Sequence, residues 1–232
     1  EDFIRALKSI EWQDCEYVQE IIIVKDGILN KELESFIKNY NFKFNHKIIT
    51  LKNNSGLGIA MKIGSQNCNG KYIARFDTDD INLPNRLSTQ IPLLENDKQL
   101  ALVSSAVFEK SSNNNIFYKK PYNKNLREVI YKFNPINHPT VIINKDILFK
   151  AGNYENVKYF EDYYLWLKIL KKGYEILLIN DALVIMNIDD QYRNRWGLKY
   201  LLYEFIFIFK IIKNKLIRKK YIFFSLLRLI SR

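Results

Sequence analysis

Four branched apolar residues in succession, Ile21 to Val24, follow Glu20 and leave few folds open to this chain. A run with no polar alternation reads as a strand covered on both faces, the signature of a parallel sheet sandwiched by helices. It stops at Lys25-Asp26-Gly27, a turn signal. Leu33, Phe36, Ile37 and Tyr40 then recur at helical spacing, and Lys47 to Leu51 reads as a second strand. After Asn53-Asn54-Ser55-Gly56-Leu57-Gly58 a helix is expected from Ile59 to Asn67, and Gly70 leads into a strand from Tyr72 to Phe76. Strand and helix alternating through short links predict an α/β fold: a mostly parallel, Rossmann-like sheet flanked by helices. Phe3, Ile4, Leu7 and Ile10 already keep helical spacing. A helix ahead of the first visible strand implies an earlier strand, so the chain reads as starting inside an element.

The remainder continues the pattern less regularly. Pro84 suits a first helical turn, with Leu87, Ile91 and Leu94 on the buried face behind it. Leu100 to Phe108 is an expected strand, and Ile116 to Lys119 a short antiparallel one. Leu126 to Phe133 looks helical, the loop Asn134 to Pro139 is constrained, and Thr140 to Ile143 reads as a strand. Tyr159 to Lys172 is the strongest helix, with Leu165, Trp166, Ile169 and Leu170 inward. Tyr174 to Ile179 and Ala182 to Ile188 read as two closing strands.

The chemistry concentrates in Asp77-Thr78-Asp79-Asp80, at the expected carboxyl end of the strand from Tyr72. Three carboxylates within four residues repel one another, and a divalent cation between them reverses the penalty. Oxygen ligands on a short turn suit Mg2+ or Mn2+. Read alone, such a turn is also an ordinary helix-capping surface loop. Asp26-Gly27 is weak by itself, but ligands of parallel sheets collect at the carboxyl ends of strands. The Asn53–Gly58 loop could present a helix amino end to an anion, although it lacks a Walker ending. Glu161-Asp162 opens the strong helix, either complementing its dipole or presenting a general base; spacing does not choose between them. His138 lies between Asn137 and Pro139, a stiff setting in which a single histidine is usually structural.

Charge narrows the partners. The net charge is +11, yet from Arg193 onward eleven Lys/Arg face one acid, Glu204, so the first 192 residues are almost neutral. A nucleic-acid protein spreads its basic face over the folded body, which argues against that class. With 232 residues, 47% of them hydrophobic, the chain suffices for one large domain or one domain with an appendage. Cys15 and Cys68 lack paired spacing, which suggests a reduced, cytoplasmic setting.

Taken in order, these motifs resemble the family 2 glycosyltransferases, inverting enzymes of the A-type glycosyltransferase fold. The resemblance rests on Ile21–Gly27, Asn54-Ser55-Gly56-Leu57, Gly70-Lys71-Tyr72-Ile73, Asp77–Asp80 and Pro84-Asn85-Arg86-Leu87, then His138-Pro139-Thr140, Gly152-Asn153-Tyr154 and Glu161-Asp162. It covers roughly residues 3 to 190. The resemblance implies a domain over 1–190 without its opening strand, and roles for particular residues. Asp26, Asp79 and Arg86 would bind the nucleotide sugar, with a UDP-sugar as the expected donor. Asp77, Asp79 and Asp80 would hold Mn2+ or Mg2+, and Asp162 would be the catalytic base. Glu161 and His138 would stand on the acceptor side. The family often has two acids before the glycine, and Lys25 takes the place of the first. The implied reaction is transfer of a sugar to a saccharide or lipid-linked saccharide in bacterial surface-polysaccharide assembly.

The tail, 191–232, alternates apolar and basic blocks. Leu201 to Phe209 is apolar but bounded by Lys199 and Lys210, short of the ~20 residues a spanning helix needs. Lys213, Lys215, Arg218, Lys219 and Lys220 follow, and Tyr221 to Ile230 is apolar again. Such blocks suit helices lying in an anionic membrane interface, here the inner face of the cell membrane, and they equally suit helices that cover the sheet. The competing expectation is a truncated, inactive domain that docks on membranes.

Overall fold

The computed structural model describes residues 1–122, 125–188 and 197–222. The expected alternation is present. Helix α1 (Asp2–Glu11) and a 3-10 turn (Cys15–Tyr17) precede β1 (Ile21–Asp26), α2 (Lys31–Asn39), β2 (His46–Leu51), α3 (Leu57–Gln66) and β3 (Tyr72–Ala74). A two-residue strand, β4 (Ile81–Asn82), then leads past Pro84 into α4 (Arg86–Asn96). The second half comprises β5 (Leu100–Ser111), β6 (Ile116–Lys119), α5 (Leu126–Val129), a 3-10 turn (His138–Thr140), β7 (Ile142–Asn144) and α6 (Lys145–Lys150). It closes with α7 (Glu161–Lys171), β8 (Glu175–Ile188) and α8 (Leu198–Lys213). Local chemistry sets several starts. The side chains of Asn30 and Asn144 accept the backbone N–H of Leu33 and Ile147, which caps α2 and α6.

The sheet corrects one expectation. Strands β1 and β2 form a parallel pair of their own, while the others lie in the order β3-β7-β5-β8-β4 with β6 beside β5. Among the described residues of that larger sheet only β5 and β8 run parallel; β3/β7, β7/β5, β4/β8 and β5/β6 are antiparallel. It is mixed rather than mostly parallel. Branched apolar runs report burial on both faces, which a central strand of a mixed sheet shares, so composition is blind to direction. The turn Ser111–Asn115 is tight enough for a hairpin, and β4 and β7 are too short to show any periodicity.

Two further differences are local. The closing strands expected on either side of Asn180-Asp181 are halves of one strand: Ser105 pairs with Ile179 and Ala106 with Ala182, so both residues bulge out of the ladder. The helix expected from Leu126 to Phe133 ends at Val129, because its remaining residues turn toward the constrained loop.

The core lies between β5 and α7. Ala101, Leu102, Val103, Ala106 and Val107 are inaccessible, as are Leu165, Trp166 and Ile169 of α7. Helix α8 joins this core rather than standing off it. Phe207 stacks on Phe160 at 4.7 Å and lies 5.0 Å from the Tyr163 ring, while Lys210 reaches Glu155 at 2.8 Å. Its other face is open: Leu198, Leu202, Phe205, Ile206 and Phe209 are 47–87% exposed and follow one helical stripe. No helix among the described residues is long and apolar enough to cross a membrane. The expected apolar block from Tyr221 to Ile230 lies mostly outside the described residues.

Candidate active site

The acidic turn is built from one end of β3 and the start of β4. Carboxylate oxygens of Asp77, Asp79 and Asp80 lie within 4.8 Å of one another. Asp80 is 2% exposed, and burial beside Asp77 pushes its carboxyl up to about 7. The backbone N–H of Asn187 donates to Asp80 Oδ1 at 3.0 Å and opposes that rise, while its side-chain amide donates to the Asp79 carbonyl. Asp79 stays exposed. Asp77 pairs with Arg75. Crowding of this kind is relieved by a cation, and the donor set is all oxygen, so the turn fits Mg2+ or Mn2+.

Arg86 stands behind the turn and is fully enclosed. Its guanidinium donates to Asn82 Oδ1, to Gln90 Oε1 at 3.3 Å and to the Val141 carbonyl at 3.3 Å, and it lies 4.6 Å over the Phe76 ring. Burial lowers its pKa to about 9. Placed there, Arg86 braces the turn from within and shows no surface from which to touch a nucleotide sugar.

Asp26 ends β1 and holds the neighbouring loop. Its Oδ1 accepts the Ser55 N–H at 2.7 Å and its Oδ2 the Gly56 N–H at 2.9 Å. Gly27 has φ +105°, and a Cβ there would meet Asn54 N at 3.0 Å, so the turn admits no larger residue without strain. The same loop delivers Gly58 against the start of α7. A Cβ on Gly58 would lie 2.5 Å from the Glu155 carbonyl oxygen and 3.2 Å from Glu161 Cβ.

At that start Asp162 has both carboxylate oxygens engaged. Oδ2 accepts from the Asn134 amide at 2.8 Å, and Oδ1 accepts the Tyr163 N–H at 2.7 Å. Burial raises its pKa; those two donors and the charge of Arg75 oppose the rise. Glu161 is 8% exposed and turned inward. His138 is buried too: its Nε2 lies 3.0 Å from Tyr154 Oη, and its ring meets Trp166 edge-on at 5.7 Å. Burial and the nearby Arg75 hold His138 well below its ordinary pKa, so the imidazole is neutral.

Contacts link neighbouring turns. Asp26 binds the loop that leads to Gly58, Gly58 abuts Glu161 beside Asp162, and Arg75 pairs with Asp77. Three contributors escape a reading of the motifs. Arg75 carried a signal, since a charge inside the strand expected from Tyr72 to Phe76 needs a partner. Asn134 and Asn187 were not: they act on Asp162 and Asp80 from 28 and 107 positions away.

Residues 1–152 match the profile of Glycosyl transferase family 2. The amylovoran biosynthesis glycosyltransferase AmsE of Erwinia amylovora is 31% identical over 204 residues, which are 87% of this chain and 76% of that one. The UDP-Gal:alpha-D-GlcNAc-diphosphoundecaprenol beta-1,3-galactosyltransferase of Escherichia coli is 33% identical over 203 residues, 86% of this chain and 74% of the relative. Among solved structures, S. aureus TarS (residues 1–349) in complex with UDP-GlcNAc superposes with a TM-score of 0.68 at 18% identity. That match covers 90% of this chain and 62% of the 1–349 chain, so this chain spans less than two thirds of that neighbour.

Proposed function

The chain belongs to glycosyl transferase family 2, and from that premise we propose that it transfers a sugar, with inversion, from a nucleoside-diphosphate sugar to a saccharide or lipid-linked saccharide. The observation that carries the reading is the cluster of Asp77, Asp79 and Asp80, whose carboxylate oxygens lie within 4.8 Å of one another beside Arg75. Relatives named for amylovoran synthesis and for a diphosphoundecaprenol-linked acceptor support bacterial surface-polysaccharide assembly. The UDP-GlcNAc bound to TarS supports a UDP-sugar donor.

The residues divide the work. Asp162 is the base that takes the proton of the acceptor hydroxyl as its oxygen attacks the anomeric carbon. Asn134 and the Tyr163 N–H fix the carboxylate and favour its ionised form, against the burial that raises its pKa. Asp77, Asp79 and Asp80 are the residues that would hold Mg2+ or Mn2+, which supplies Lewis-acid neutralisation of a departing diphosphate. Arg75 fixes Asp77, and the Asn187 N–H fixes Asp80. Asp26 shapes the loop at the donor end of the rim. Glu161, His138 and Tyr154 form the buried wall on the acceptor side. One displacement, with an oxocarbenium-like transition state, needs no covalent enzyme nucleophile.

The exposed apolar stripe of α8, with Lys213, Lys215, Arg218, Lys219 and Lys220 beyond it, supports peripheral contact with an anionic membrane at the cytoplasmic face. The test of activity is Mn2+-dependent turnover of UDP-sugars. Turnover that disappears in Asp80→Ala with the fold intact is expected; turnover indifferent to both metal and Asp80 would end this reading. Co-sedimentation with phosphatidylglycerol vesicles tests the stripe, and Phe205→Ser with Phe209→Ser should abolish it.

A further inference from the structure

The loop from Gly152 to Phe160 leads straight into Glu161 and Asp162, and α8 grips it at two places. At its far end Tyr159 has φ +69°, a conformation that a bulky residue keeps only where its surroundings fix it. Rings of α8 do so: Tyr200 and Tyr203 lie 5.4 and 5.5 Å from the Tyr159 ring, and Phe207 stacks on Phe160. Nearer the start of the loop, Glu155 joins three elements. Its Oε1 accepts from Lys168 of α7 at 2.9 Å and its Oε2 from Lys210 of α8 at 2.8 Å, while its carbonyl oxygen lies against Gly58 of α3. Lys168 also donates to the Asn153 carbonyl at 2.8 Å, and both ammonium groups stand over the Tyr164 ring, at 5.3 and 4.5 Å. Two like charges that share one carboxylate and one ring repel each other once that carboxylate is made neutral. Glu155 is therefore the group that lets α8 lie against α7 at this point.

We propose that Glu155 is a positioning residue that ties α8 to the start of α7, so that an anionic lipid surface seated on the exposed stripe of α8 steadies the carboxylate of Asp162. The inference rests on the membrane contact proposed above and adds what that contact does. The stripe and the gripping residues Tyr200, Tyr203, Phe207 and Lys210 interleave along one helix, so a surface that holds one face holds the other. A surface that binds α8 in its packed arrangement stabilises whatever packs against it, and by linkage an intact bridge strengthens that binding. Glu128 supplies the contrast. It pairs with Lys220 at 3.4 Å, another tie between tail and body, but it stands on α5, away from the helix that carries Asp162.

The experiment is amide exchange of the whole chain with and without saturating phosphatidylglycerol vesicles, in the wild type, Glu155→Gln and Glu128→Gln, with co-sedimentation alongside. The readout is the N–H of Tyr163 and of Tyr164, which donate to Asp162 Oδ1 and to the Phe160 carbonyl. Vesicles are expected to slow both at least fivefold in the wild type and in Glu128→Gln, and less than twofold in Glu155→Gln, while all three sediment. In UDP-sugar turnover, vesicles should raise kcat and leave the donor KM in place, a gain that Glu155→Gln lacks. Equal slowing in Glu155→Gln and the wild type overturns the proposal. Sedimentation of the wild type without slowing also overturns it and leaves the membrane contact standing, whereas no sedimentation removes both. Should Glu155→Gln fail to fold, Lys210→Met cuts the same bridge from its other end and is read at the same two amides.

Discussion

Strands β1 and β7 are made of the same residue type and have opposite fates. Ile142 and Ile143 of β7 are 0% and 2% exposed, between β3 and β5. Ile22, Ile23 and Val24 of β1 are only partly covered, because β2 pairs with one edge and the other faces a cavity of about 1150 Å³ that Tyr72 and Ala74 also line. Branched apolar side chains therefore set what a strand can bury, and its neighbours decide what it does bury. The carboxylates of the candidate site are likewise spread over both parts. Asp80 and Asp162 sit on the closed sheet and on the helix packed against it, each held by partners from distant segments. Asp26 ends the open strand and holds the Ser55–Gly56 turn after β2, 29 and 30 positions away, through backbone N–H groups alone.

The comparison can be broken or sharpened at several points. The largest effect is expected from Asp162→Asn: about 10²–10⁴-fold lower kcat with an unchanged Tm, since general-base catalysis contributes on that order. Comparable loss from Asp26→Asn would erase the distinction between the two halves. Next, Leu102→Ala in the closed sheet should cost about 2–5 kcal/mol by chemical denaturation, the range for fully buried positions. Ile23→Ala should cost clearly less, because Ile23 is only partly covered. Gly58→Ala should cost about 1–3 kcal/mol, as overpacking does, because a methyl group there meets the Glu155 carbonyl at 2.5 Å. The smallest effect is a displacement of the pH–rate profile. Asn134 favours the ionised form of Asp162, so Asn134→Ala raises that pKa and moves the acid limb of kcat to higher pH. A limb that stays in place would remove Asp162 from the role of base.

The residues themselves settled the alternation of strand and helix from α1 to β3, the acidic turn, and the buried face of α7. Each of these is local, set by side-chain spacing along one element or by the chemistry of one turn. Contacts between distant segments decided the rest. The direction of β3, β4 and β7 follows from their neighbours, the enclosure of Arg86 from Asn82, Gln90 and the Val141 carbonyl, and the setting of Asp80 and Asp162 from Asn187 and Asn134. The open edge beside β1 belongs to the same class. A sequence states which surfaces a strand offers, whereas the pairing that covers them forms only when remote segments meet in space.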